Sequence, residues 1–142
     1  MRITIDTNQF IRSLMRPPEL ATFVMAWQAR RFTVVCSQEL LQEYEAVLRY
    51  PKIADLIYPE LRCVFLTQLS PEMEFVELPE IRAVCRDPDD DKVIATAVYG
   101  SVDYLVTADE DLRAEPVVSV LRVAGIELTT IDKLQSILDS VA

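Results

Sequence analysis

The sequence predicts a layered α/β fold with a parallel sheet of five strands. Two observations carry that prediction. Five short β-branched, apolar runs recur along the chain: RITID (2–6), TVVCS (33–37), FVEL (75–78), DYLVTA (103–108) and IELTTI (126–131). Segments with helical apolar spacing separate them, and strands that alternate with helices imply crossover connections and parallel pairing. At 142 residues and 51% hydrophobic, with no internal repeat, linker or low-complexity stretch, the chain is expected to fold as one domain over 1–142.

Taken in order, the first strand runs from Arg2 into Asp6. A helix is expected over 19–30, with Leu20, Phe23, Val24 and Trp27 on one face. The second strand leads to Ser37, a helix cap for 38–50, where Leu40, Leu41, Tyr44, Val47 and Leu48 form the apolar stripe. Further helices are expected over 60–69 (Leu61, Val64, Phe65), 90–99 (Val93, Ile94, Ala97, Val98) and 132–141 (Leu134, Ile137, Leu138). The only two glycines, Gly100 and Gly125, stand where a helix hands over to a strand, the left-handed position a helix C-terminus favours.

Composition removes several function classes. Histidine is absent, which excludes serine–histidine and cysteine–histidine catalysis and the commonest zinc ligand. Cys36, Cys63 and Cys85 are odd in number and widely spaced, so neither a disulfide framework nor a zinc knuckle is indicated. A net charge of −9 opposes broad nucleic-acid binding, since phosphate affinity comes from Lys and Arg, but leaves room for a local basic rim. No GxGxxG or GxxxxGK[ST] motif is present. The start, MRITIDTNQF, reaches Asp6 too early for a signal-peptide core, and no run approaches the roughly 18 apolar residues of a membrane helix. A cytoplasmic protein is the expectation.

What remains is carboxylate chemistry. In an open parallel sheet the functional crevice lies beyond the carboxyl ends of the strands. Asp6 ends the first strand and Asp109 follows the fourth. The segment RDPDDDKVIATA places Asp87, Asp89, Asp90 and Asp91 at a helix entrance. One carboxylate there complements the helix dipole by about 0.3–1 kcal/mol. Two like charges ~4 Å apart repel by about 4 kcal/mol at an effective dielectric of 20, so four converging carboxylates must take up protons or a cation. An EF-hand loop is a poor match, because its glycine position is Lys92 and its bidentate glutamate position is Val98. A phosphoaspartyl site is also weak, with Asn8 where a second aspartate belongs. Periodicity leaves Glu43 and Glu45 equally placed at the two margins of their helix's apolar stripe, and Asp111 is either a cap or a metal ligand.

The segments IDTNQF, CSQELLQEYEAVLRYPKI, RDPDDDKVIATA and VDYLVTADEDL, in that order over nearly the whole chain, resemble a PIN-domain nuclease. More narrowly, they resemble the PIN-family toxins of toxin–antitoxin systems. That resemblance implies a Rossmann-like three-layer α/β/α sandwich and RNA cleavage with Mg²⁺ or Mn²⁺. It carries an acidic quartet onto Asp6, Glu43, Asp91 and Asp109, and so favours Glu43 over Glu45; Asp111 stays a candidate for a further metal ligand beside them. Asp87, Asp89 and Asp90 are then expected to cap the helix or stay solvated. Thr7, Asn8 and Thr107 adjoin the quartet, while Arg12, Arg16, Arg86, Lys92 and Arg113 are candidates for a basic rim. The resemblance further implies a cognate antitoxin protein as partner and a homodimer, for which the apolar 53–69 region is a candidate surface. The rival expectation is a catalytically inactive PIN-fold module that acts through a protein partner.

Overall fold

A computed structural model describes residues 1–141. Five strands, β1 (Arg2–Ile5), β2 (Thr33–Cys36), β3 (Glu74–Phe75), β4 (Tyr104–Val106) and β5 (Glu127–Thr129), form one sheet in the order β3-β2-β1-β4-β5, and every pair is parallel. Successive strand residues point to opposite faces, yet Ile3, Thr4 and Ile5 are all fully buried, so helices must cover both faces. The α/β class read from the sequence is therefore the one observed. The strands β1, β2, β4 and β5 are each shorter than their apolar runs, which continue into the loops, whereas β3 shares only Phe75 with the run expected over 75–78.

The helices are α1 (Thr7–Ser13), α2 (Thr22–Gln28), α3 (Gln38–Leu48), α4 (Pro51–Ala54), α5 (Pro59–Val64), α6 (Asp91–Tyr99), α7 (Val117–Val123) and α8 (Ile131–Ser140). Ser37 caps α3 as expected, its hydroxyl accepting from the Leu40 N–H at 3.2 Å. The segment expected as one helix over 19–30 is divided: Pro18–Leu20 forms a 3₁₀ turn, Ala21 leaves helical geometry, and Leu20 is 59% exposed rather than in the core. Likewise 60–69 continues from α5 as a π-helical stretch, Phe65–Leu69. The helices α1 and α7 have no counterpart in the periodicity reading. Both are seven residues long, and α7 (VVSVLRV) is too β-branched to look helical. Among the described residues no helix is long and apolar enough to cross a membrane.

The core is tied to the strand ends by Tyr44. Its ring stacks on Phe10 at a centroid distance of 4.2 Å, and Phe10 meets Phe65 edge-on at 4.6 Å. Its fully buried hydroxyl donates to the Ile5 carbonyl, the last residue of β1. This bond holds α3 against the end of β1 and so fixes Glu43, next along α3, relative to Asp6. In the 53–69 region Ile57, Leu61, Phe65 and Leu69 are buried, while Leu56 and Leu66 are about half exposed.

The two glycines differ from each other. Gly125 has φ +75°, the left-handed conformation expected at a helix end, but Gly100 has φ −81° and the positive φ falls on Ser101. Gly100 is needed for space: an added Cβ would lie 2.5 Å from Val35 Cγ1 and 2.9 Å from the Thr96 carbonyl oxygen. Because α6 would have to move off the sheet, Gly100→Ala is expected to cost about 1–3 kcal/mol, measured as a lower urea midpoint with an unchanged slope.

Candidate active site

β1 and β4 are neighbours, but the chain travels from β1 outward through β2 and β3 before returning to β4 on the other side of β1. This reversal opens a crevice at the carboxyl ends of β1 and β4. The register Ile5↔Val106 brings Asp6 and Thr107 side by side, and the Asp6 N–H extends the ladder to the Val106 carbonyl at 3.0 Å.

Asp6 is only 6% exposed. It caps α1, one carboxylate oxygen accepting from the Gln9 N–H at 2.8 Å and the other from the Thr107 hydroxyl. The same Thr107 oxygen accepts from the Asp109 N–H at 3.0 Å. Thr107 thus joins the first and last acids of the quartet. Asp109 caps the 3₁₀ turn Glu110–Arg113 by accepting from the Asp111 N–H at 2.9 Å, so it is Asp109, and not Asp111, that serves as the cap. Glu43 accepts from the Thr7 hydroxyl and from Lys92 Nζ at 3.0 Å.

Asp6, Glu43 and Asp109 line one cavity of about 270 Å³ together with Asp87, Asp89 and Asp90. Glu45 does not reach it. Carboxylate oxygens of Asp90, Asp109 and Asp111 lie within 4.8 Å of one another, spacing compatible with shared ligation of one cation. The charge conflict shows in the acid–base balance of the site. Burial pushes the Asp6 carboxyl up, its two hydrogen bonds oppose that, and the Asp109 and Glu43 charges add to it. Asp90 is pushed up to about 7 by burial and by the charges of Asp109, Asp87, Asp6 and Glu43. A carboxylate half-protonated at neutral pH is an anion short of a counter-charge.

Asp91, expected in the quartet from its motif, is placed apart from them. Its carboxylate is 5% exposed and accepts from the Val84 and Cys85 N–H groups at 2.9 and 2.7 Å, lining a different cavity with Ile94, Ala95 and Val98. Burial raises its pKa, but these bonds and one from the Cys85 thiol outweigh it and hold the carboxyl below the usual range. Burial and the adjoining Asp91 push the Cys85 thiol up to about 12. The physical reason is helical phase. Asp91 sits above Ala95 and Val98 on the face turned to the 80–85 loop, and Asp90, roughly 100° earlier, turns to the crevice. Both phases fit the apolar spacing of α6; only the loop's amides distinguish them, and a motif does not reveal those.

The candidate basic rim is mostly committed. Lys92 pairs with Glu43 at 3.0 Å, Arg16 with Asp132 at 3.1 Å, and Arg86 approaches Asp111 at 3.9 Å. Arg113 reaches the Thr107 carbonyl at 3.4 Å.

A family model for the PIN domain matches residues 2–111, well over half of the chain. The chain belongs to the PIN-domain family. The match covers the segments that supply every acid of the crevice, and a PIN domain suggests a nuclease-type function. No curated protein matches the chain.

Proposed function

We propose that this PIN domain is a metal-dependent ribonuclease that hydrolyses RNA phosphodiester bonds. The observation that carries the reading is the convergence of Asp90, Asp109 and Asp111 beside buried Asp6, with one of these carboxyls pushed up to about 7. Donors that are all carboxylate oxygens, in a chain without histidine, suit a hard cation, Mg²⁺ or Mn²⁺. Asp6, Asp90, Asp109 and Asp111 would hold it. When bound, such an ion supplies positive charge to a phosphodiester and acidity to a water molecule. Thr107 keeps Asp6 and Asp109 in place, and Glu43, restrained by Thr7 and Lys92, orients the attacking water.

The toxin role, the cytoplasmic location, the antitoxin partner and a homodimer belong to the same proposal, supported by the resemblance of the four motif segments to PIN-family toxins. The test is cleavage of a mixed-sequence RNA with Mg²⁺ or Mn²⁺ and with chelator. Wild type is expected to cleave only with metal, and Asp6→Asn, Glu43→Gln and Asp109→Asn to lose about 10²-fold or more. No cleavage by wild type despite calorimetric metal binding would favour the inactive module acting through a protein partner.

A further inference from the structure

A second cavity, of about 540 Å³, adjoins the acidic one, and Asn8, Val47 and Asp109 line both. The two differ in character. The acidic cavity has about 270 Å³, below the usual range of about 300–1,000 Å³ for small-molecule clefts, and suits an ion with one phosphate group. The second falls within that range, and its walls include apolar Ile11, Met15 and Ile53.

Arg12 also lines the larger cavity. Its side chain is exposed and forms no ion pair or hydrogen bond among the described residues, although the chain carries 23 acidic against 14 basic residues. An uncommitted guanidinium beside a crevice of carboxylates is placed to hold an anion that the crevice itself would repel. Tyr50 lines the acidic cavity, and it is 56% exposed, leaving an aromatic face open to solvent at the crevice.

Resting on the nuclease reading, we propose that the larger cavity is a nucleotide subsite. It seats the base next to the scissile phosphate against Met15, Ile11 and Ile53; Arg12 holds a flanking phosphate, and Tyr50 stacks on a neighbouring base. The chemistry is that of an unpaired strand, since a base must leave its own stack to enter the cavity or lie on a tyrosine.

The test is fluorescence-anisotropy binding of a ten-nucleotide single-stranded RNA, with Mg²⁺, to the Asp6→Asn protein so that the strand stays intact. Adding Arg12→Ala is expected to weaken binding about 10-fold and to flatten the dependence of log K on log salt by about 0.7, the loss of one phosphate contact. Adding Tyr50→Ala is expected to weaken binding about 5- to 100-fold at an unchanged salt slope, while Tyr50→Phe restores it. Both side chains are exposed, and unchanged urea midpoints would show that folding is intact. If Arg12→Ala and Tyr50→Ala bind like their parent while wild type still cleaves RNA, the subsite is overturned and the nuclease reading stands. If wild type neither binds nor cleaves RNA, both are overturned.

Discussion

Asp90→Asn is expected to lower metal-dependent RNA cleavage about 10²–10³-fold, whereas Asp91→Ala is expected to act first on stability. Asp90 lies with Asp109 and Asp111 on the crevice and repels four other carboxylates. Neutralising it removes a ligand and part of the field that draws a cation in, and one electrostatic contact of this kind is worth about 2.7–4 kcal/mol to a transition state. Asp91 points elsewhere and holds the Val84 and Cys85 amides. Removing its carboxylate leaves two partly buried N–H groups without an acceptor, a cost of about 2–4 kcal/mol. The lowered pKa of Asp91 has a matching sign: its contribution is present above the ordinary carboxylate pKa and is lost as pH falls through the lower folded value. Calorimetric Mg²⁺ affinity, single-turnover cleavage and urea midpoints separate the two roles. An Asp91→Ala protein of wild-type stability that has lost metal binding would reverse them.

The legible part of this fold is what hydrophobic patterning controls. The central strands β1, β2 and β4 are readable because a strand buried on both faces is a nearly continuous apolar run, whereas the edge strand β3 is exposed at both residues and meets its expected run only at Phe75; Asp6 and Asp109 are readable because the ends of such runs define the crevice. Short helices are not. The stability of α1 comes from Phe10 packing on Tyr44 and from Asp6 at its cap, neither of which is local helical propensity. The different placement of Asp90 and Asp91 has the same origin. A one-residue difference of phase on α6 depends on which neighbour offers donors, and the 80–85 loop, far from regular structure, offers the Val84 and Cys85 amides. Gly100 follows suit: its position at a helix end is visible, but the demand for space arises from Val35, on the strand β2 against which α6 packs.

Divalent metal is expected to raise the melting temperature by roughly 10 °C at 100 times its dissociation constant, and to reverse the pH dependence of stability. Without metal, the Asp90 carboxyl at about 7 binds its proton more tightly in the folded state than in the unfolded chain, where it returns toward 3.8. Between those values the native state carries more protons, so this residue makes stability fall as pH rises from about 4 to 7, and the raised pKa of Asp6 adds in the same direction. A bound cation displaces that proton, so its affinity grows with pH up to about 7. Saturation at 100-fold excess contributes about 2.7 kcal/mol, which for a domain of this size corresponds to the stated shift. Cleavage should accordingly lose about 10-fold per pH unit below 7. Asp90→Asn is expected to flatten the slope to the part that Asp6 contributes: more stable than wild type at pH 8 without metal, and stabilised less by Mg²⁺. Thermal melts of both proteins from pH 5 to 8, with Mg²⁺ and with chelator, decide the matter. A wild-type protein that gains stability with rising pH in chelator would show that the carboxylates of this crevice do not oppose one another, and the case for a cation at Asp90, Asp109 and Asp111 would fall with them.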